Sequence, residues 1–271
     1  MPPAPHDVEF IGAIPRVYDE YMVPLVFQHY ATDLVQRVVA RRPTRVLELA
    51  AGTGVVTRGL AQALPAEVPI IATDLNLAML AHAAEVGTHR AVEWRAADAQ
   101  QLPFDAGAFD AVVCQFGVMF FPDKVKAFAE AHRVLAPGGV LLFNVWDRLE
   151  ENEFAHTVSA SLEAQFPHDP PRFMSRTPHG YFERSAIEHD LAQGGFQGPV
   201  QFETLVAQSQ APSAQHAAIA LCQGTPVRGE LEARGASLAE VTRHARDALA
   251  RRFGPGPIEG KIQGHVISVE R

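Results

Sequence analysis

From about residue 40 onward, short runs of apolar and β-branched residues alternate with stretches whose apolar positions recur at three- and four-residue steps. The first pattern predicts strands and the second amphipathic helices. Strands are expected at 45–50, 68–73, 92–96, 109–114 and 140–145. Helices are expected at 55–64, at 77–85 with Asn76 as cap, and from Pro122-Asp123 to about 135, where Pro137-Gly138-Gly139 ends the run. Strands alternating with helices at this spacing predict a parallel sheet covered on both faces. The unbroken apolar run Val140-Leu141-Leu142-Phe143 suits a strand buried on both sides. Residues 43–147 therefore read as one doubly wound α/β unit with a Rossmann-like core.

The flanks read differently. Residues 1–42 are rich in Pro, Tyr and Phe, and a helix is expected over 23–41, stopped by Pro43. This segment is expected to act as a helical lid carrying Tyr18, Tyr21 and Tyr30. Beyond residue 147 the rhythm loosens. Helices are expected at 153–165 and at 185–193, the second with a capping box from Ser185 to Glu188. A sixth strand is expected at 200–207, two helices over 211–252 parted by Gly224-Thr225-Pro226, and a last strand at 262–269. Residues 148–271 are thus the C-terminal part of the sheet, with cap insertions at about 148–182 and 211–257.

Length and composition narrow the class. The chain has 271 residues, 47% of them hydrophobic and 20% charged, enough apolar mass for a core. Its formal net charge of -8 argues against broad binding to a phosphate backbone, so no nucleic-acid partner is expected. Cys114 and Cys222 are the two cysteines, too few and too far apart for a CxxC motif or a four-cysteine zinc site. Two buried thiols in a reducing cytoplasm are expected. The first residues lack a basic stretch followed by an apolar one, so no leader is expected. No apolar run reaches about 18 residues, so no membrane span is expected. The 12 histidines show no pair with convincing metal spacing, and no metal is expected.

The first strand leads into Glu48-Leu49-Ala50-Ala51-Gly52-Thr53-Gly54. A glycine turn between strand and helix lets a ligand approach the backbone, and the helix beyond offers free N–H groups. The dinucleotide fingerprint G-x-G-x-x-G fits poorly, because Thr57 occupies the third glycine position. The Gly-Lys-Ser/Thr of a phosphate loop is absent. Asp74 ends the second strand, where a carboxylate can accept from two vicinal ribose hydroxyls. Asp98 follows the third, where a carboxylate can accept from an exocyclic amine. A glycine turn and two acids at successive strand ends should converge on one rim of the sheet.

The segments 46–54, 72–80 around Asp74, 97–104 after Asp98, 109–116 and 133–139 occur in one order over about 100 residues. With them the chain resembles the class I S-adenosylmethionine-dependent methyltransferases, closest to the small-molecule group that includes ubiquinone/menaquinone-type C-methyltransferases. The resemblance implies a seven-stranded, mostly parallel sheet in the order 3-2-1-4-5-7-6, with the last strand antiparallel. It implies S-adenosylmethionine as cofactor and S-adenosylhomocysteine as product. Ala50, Gly52 and Gly54 would line the methionine part, with Ala50 standing where glycine is commoner. Asp74 would hold the ribose, Leu75 and Met79 would flank the adenine, Asp98 would accept from its amine with Ala99 beside it, and Gln115 would sit by the methionine moiety.

A sulfonium is an activated donor, so alignment can carry much of an in-line transfer and no catalytic residue is assigned. Base-amine methylating relatives carry an Asn/Asp-Pro-Pro-Tyr/Phe motif after the fourth strand, whereas this chain has Cys114-Gln115-Phe116-Gly117-Val118-Met119-Phe120-Phe121. Phe116, Met119, Phe120 and Phe121 can form an apolar wall or pack the core, and a wall would favour an apolar or aromatic small molecule. His29, His156 and His179 are candidate bases or ordinary surface residues. A monomer or homodimer is expected. Two rival readings remain, a non-catalytic cofactor-binding scaffold and a nicotinamide-dependent oxidoreductase.

Overall fold

The computed structural model describes residues 7, 10 and 12–271. The expected absence of a leader falls mostly on residues 1–6, which lie outside the described residues. Seven strands, β1 (Val46–Glu48), β2 (Ile70–Asp74), β3 (Glu93–Ala96), β4 (Phe109–Gln115), β5 (Leu135–Trp146), β6 (Gln201–Ala211) and β7 (Ile258–Glu270), form one sheet. Their order is β3-β2-β1-β4-β5-β7-β6. The first five pair in parallel, and β7 runs antiparallel to both β5 and β6. The expected sheet order and the antiparallel last strand are both present.

Alternation along the parallel strands divides the core in two. Val46, Ile70, Ala111, Val113, Val140 and Leu142 face Leu34 and Val38 of α2 (Gln28–Ala40) and Val56 and Leu60 of α3 (Val55–Ala63). Leu47, Ile71, Val112, Leu141 and Phe143 face the other layer, which includes Phe128 and Ala131 of α5 (Lys124–Val134). Burial on both faces is what the near-continuous apolar runs require. Asn76 caps α4 (Leu77–Val86) by accepting from the N–H groups of Ala78 and Met79, as expected.

Several boundaries move. The N-terminal helix starts earlier, as α1 (Ile14–Val17), and continues into α2 through a π-helical stretch, Tyr18–Phe27. Pro24 inside that stretch has no N–H to close an α-helical bond. The N–H of Gln28 reaches the Val23 carbonyl, five residues back. The run before the glycine turn is a strand only over Val46–Glu48, because Ala50 adopts a left-handed φ of 50°. The expected capping box fails. Helix α8 (Arg184–Gln193) begins after Glu183, so Ser185 lies exposed inside it and Glu188 pairs with Arg184 at 2.8 Å. The two helices expected over 211–252 are three: α9 (Ala214–Gln223), α10 (Val227–Ala233) and α11 (Leu238–Phe253). Helix α6 (Glu153–Gln165) matches its expected range, and the Pro-rich stretch after it carries a short α7 (Phe173–Arg176).

Tyr30 is not on a lid surface. It is fully buried in the core, and its hydroxyl donates to the Leu205 carbonyl at 3.0 Å, joining α2 to β6. Its ring meets Phe116 and Trp146 edge-on at 5.1 and 5.2 Å. Tyr30→Phe keeps the packing and removes one hydrogen bond, so it should lower unfolding free energy by about 1 kcal/mol in urea titration. No loss would mean that the Tyr30 hydroxyl contributes nothing net to the α2–β6 junction.

Candidate active site

The turn after β1 is fastened from three sides. The N–H of Leu49 donates to Val113 of β4 and the N–H of Ala51 to Thr73 of β2. The Thr73 hydroxyl donates to the Glu48 carbonyl at 2.8 Å. Within the turn Ala50, Gly52 and Gly54 all have positive φ, at 50°, 56° and 86°. For Ala50 this left-handed backbone is strained, because its Cβ crowds the following carbonyl. Phe116, at the end of β4, is left-handed too, with φ 52°. Between the two lies the reason for Gly117: a Cβ there would fall 2.5 Å from the Ala50 Cβ and 2.7 Å from the Cys114 Sγ.

Two acidic side chains hold the turn from below and from the side. Glu48 is buried and accepts from the Thr57 hydroxyl at 2.6 Å. Burial pushes its pKa up to about 8, against the pull of that hydrogen bond, so it is mostly protonated at neutral pH. Thr57 thus replaces a fingerprint glycine with a hydroxyl that pairs a buried acid. Asp74 accepts from the Gly52 N–H at 2.8 Å and the Asn76 N–H at 2.7 Å. Desolvation raises its pKa, while the N–H groups of Asn76, Gly52 and Leu75 lower it. A carboxylate has about four acceptor sites, so Asp74 keeps capacity for a ligand's hydroxyls.

Asp74, with Gly52, Leu75 and Asn76 around it, borders a cleft of about 300 Å³ at the carboxyl ends of the strands. Of the nine residues singled out from sequence, Ala50, Gly52, Asp74, Leu75, Met79, Asp98, Ala99 and Gln115 line it. Leu75 is exposed at its edge and Met79 is buried. Asp98 accepts from the N–H and side-chain amide of Gln100 at 2.8 and 3.2 Å, which holds it in a turn. Gln115 donates to the Phe27 carbonyl at 2.9 Å and so ties the end of β4 to the N-terminal segment. Gly54 is the exception. It is the N-cap of α3, and its missing Cβ makes room for Trp94, whose ring edge would stand 2.8 Å away.

A second cavity, of about 80 Å³, lies behind the cleft. Phe10, Tyr18, Phe116 and Phe120 border both spaces and form an aromatic collar between them. Tyr18 stacks on Phe27 at 5.0 Å, and Phe116 lies flat on Trp146 at 3.8 Å and 7°. The expected apolar wall is divided: Phe116 and Phe120 form part of the collar and Phe121 borders the cleft alone. Met119 is core, its sulfur accepting from the Trp146 N–H. Trp146, Phe154, Phe173 and Met174 line the cavity without having been found in the sequence. They come from three elements, β5, α6 and α7, whose meeting no sequence spacing marks. Among the described residues, no side chain lining this cavity carries a formal charge at neutral pH, since burial drops the pKa of His179 to about 4.

The other candidates resolve simply. His29 is exposed against Tyr30, and His156 lies on α6 and borders neither space. Tyr21 packs on His216 at 4.6 Å. Cys114 and Cys222 are both buried and free, with thiol pKa values pushed up to about 12 by burial. Among the described residues no group of three or more His, Cys, Asp or Glu could hold a metal ion, and no helix is long and apolar enough to cross a membrane.

Residues 47–143 match a protein-family model described as a methyltransferase domain. A demethylmenaquinone methyltransferase of Thermus thermophilus is 41% identical over 120 residues, 44% of this chain and 53% of that protein. A malonyl-[acyl-carrier protein] O-methyltransferase of Geobacter sulfurreducens is 32% identical over 163 residues, 59% of this chain and 58% of that protein. The chain spans about half the length of the curated relatives it matches. Among solved structures, the YcgJ protein of Bacillus subtilis superposes with a TM-score of 0.57 at 20% identity, over 90% of this chain and 99% of that one, a likeness of fold.

The raised pKa of Glu48 sets a sign for stability against pH. Its ordinary value is 4.5 and its folded value about 8. Between these the folded chain holds a proton that the unfolded chain has lost, so this contribution falls as pH rises through that window and levels off above it. Glu48→Gln keeps an oxygen for Thr57 and cannot ionise. Urea midpoints at pH 5, 6.5 and 8.5 should show the variant gaining on the parent chain as pH rises. Parallel curves would contradict a protonated Glu48.

Proposed function

We propose, from the premise that the chain carries a class I S-adenosylmethionine-dependent methyltransferase domain, that it transfers the sulfonium methyl in line to a small apolar or aromatic acceptor. The observation that carries this reading is the pair of spaces joined at one aromatic collar: a polar-edged cleft rimmed by Asp74 and Asp98, and behind it a cavity whose described lining is uncharged.

The residues present fit the cofactor. At Gly52 a Cβ would point into the cleft with only Met79 Cε near it, at 3.7 Å, so the missing side chain leaves room beside the backbone. Asp74 would accept from the ribose hydroxyls, with the Gly52 and Asn76 N–H groups keeping its carboxylate oriented. Leu75 and Met79 would cover the adenine, and Asp98 with Ala99 would meet its amine edge. Ala50, Gly52 and Gln115 would lie along the methionine part, and Gly54 would act indirectly by starting α3. When bound, S-adenosylmethionine supplies a methyl group on a positively charged sulfur.

The chain's own part is then alignment and exclusion of water. The collar rings would surround the reacting methyl and present π faces to the positive sulfur. Phe27, Phe116 and Trp146 pack into one another and hold the collar rigid, which supports catalysis by orientation. The N-terminal segment would act as the lid through Tyr18, pinned by Asp19, which meets Arg58 at 3.0 Å and His82 at 3.3 Å. The net charge of -8 disfavours a nucleic-acid acceptor.

Asp74→Ala removes the acceptor for the sugar. Charge-assisted hydrogen bonds contribute roughly 1.5–3 kcal/mol each, so affinity for S-adenosylhomocysteine should fall at least about tenfold in calorimetry. A melting curve of the variant separates this from unfolding. Undiminished affinity in a folded variant, or no cofactor binding by the parent chain, would overturn the assignment.

A further inference from the structure

Among the described residues, the cavity behind the collar has few polar side chains, and all but one are committed or indifferent to a ligand's polarity. Asn152 donates to the carbonyls of Asp147, Arg148 and Gln263 and accepts from the Gln263 N–H. The Thr225 hydroxyl donates to the Leu221 carbonyl. The Tyr18 hydroxyl can rotate to donate or accept, so it imposes no direction.

His179 does impose one. Its Nδ1 lies 2.8 Å from the Asp147 carbonyl oxygen. A carbonyl only accepts, so Nδ1 carries the hydrogen. With the imidazolium pKa lowered to about 4 by burial, the ring is neutral at pH 7. Nε2, on the far side of the ring, is then a lone pair with no partner among the described residues. The backbone that carries the ring is held by the main-chain N–H of His179, which donates to the Met174 carbonyl at 3.0 Å, and by Thr177, whose hydroxyl donates to Asp7 at 2.6 Å.

We infer that this cavity selects a neutral, planar ligand whose hydroxyl donates a hydrogen bond to Nε2 of His179, and that His179 is a specificity-determining residue for the acceptor. A ligand with a carbonyl or halogen at that point would set lone pair against lone pair and leave both desolvated. An ammonium group would shed its hydration where none of the described residues lining the wall is a carboxylate. The flat wall, with Trp146 beside His179 at 6.2 Å and Phe116 stacked on Trp146, fits a ring. As a statement about the methyl acceptor the inference rests on the proposed function, but as a statement about binding it rests on the cavity alone.

The test uses 4-fluorophenol and 1,4-difluorobenzene, one skeleton with a hydroxyl exchanged for fluorine, titrated into the full chain and followed by fluorine NMR with and without S-adenosylhomocysteine. The phenol should bind about three- to tenfold more tightly, the span of one net hydrogen bond. In His179→Phe the two affinities should come within about twofold, and His179→Gln, whose amide oxygen can accept, should restore part of the preference. Equal affinities in the parent chain, an undiminished preference in a folded His179→Phe, or no binding of either compound would overturn the inference. The parent-chain ratio needs no variant to fold. Failure of S-adenosylhomocysteine to bind, with the phenol preference intact, would instead sink the proposed function and leave His179's role in binding standing.

Discussion

The hydrogen bond from the Gly52 N–H to the Asp74 carboxylate joins the end of β1 to the end of β2. It fixes a turn that would otherwise resist its own backbone, since Ala50 is held left-handed at a cost that only surrounding contacts can meet. The buried Glu48–Thr57 pair and the Thr73 hydroxyl secure the same turn from inside the sheet. With the turn fixed, Gly117 can approach Ala50 without side-chain overlap, and the ends of β1, β2 and β4 form one rim. The cleft's shape follows from this fastening.

The rest of the site is a contrast between neighbours. On one side of the collar the cleft holds carboxylates and backbone N–H groups suited to a polar cofactor. On the other, burial leaves His179 neutral, and no other described residue of the wall is charged. A sulfonium approaching such a boundary would meet aromatic faces in place of water, where electrostatic attraction to a π face is less screened. The same dryness makes each unpaired polar atom in the cavity count, and so one histidine tautomer can discriminate between otherwise similar rings.

Legibility differed with the range of the interactions involved. Strand–helix alternation over 43–147 was readable because period and burial are local properties of the chain, and Asn76 acts as the cap its position suggested. Thr57 was readable as a departure from a dinucleotide turn, but its partner was not, because the bond to Glu48 forms only when α3 folds back over β1. The Ser185 box matched a local motif, yet α8 begins one residue earlier, with its N-cap at Glu183 and Glu188 paired to Arg184. Tyr30 was expected on the lid because nothing nearby in sequence announces β6, 175 positions away, whose Leu205 carbonyl it bonds.

By itself the sequence determined the sheet's repeating units, the glycine turn and the acids at the strand ends, because periodicity and local chain chemistry do not depend on distant partners. It also offered Phe116, Met119, Phe120 and Phe121 as either a wall or core, without deciding between the two. Only the tertiary structure decided which aromatic residues form the collar, that Gly54 serves α3 instead of the cleft, and which nitrogen of His179 keeps a free lone pair. Each of those depends on segments far apart in the chain meeting within bonding distance, and side-chain packing and desolvation at that meeting set the outcome.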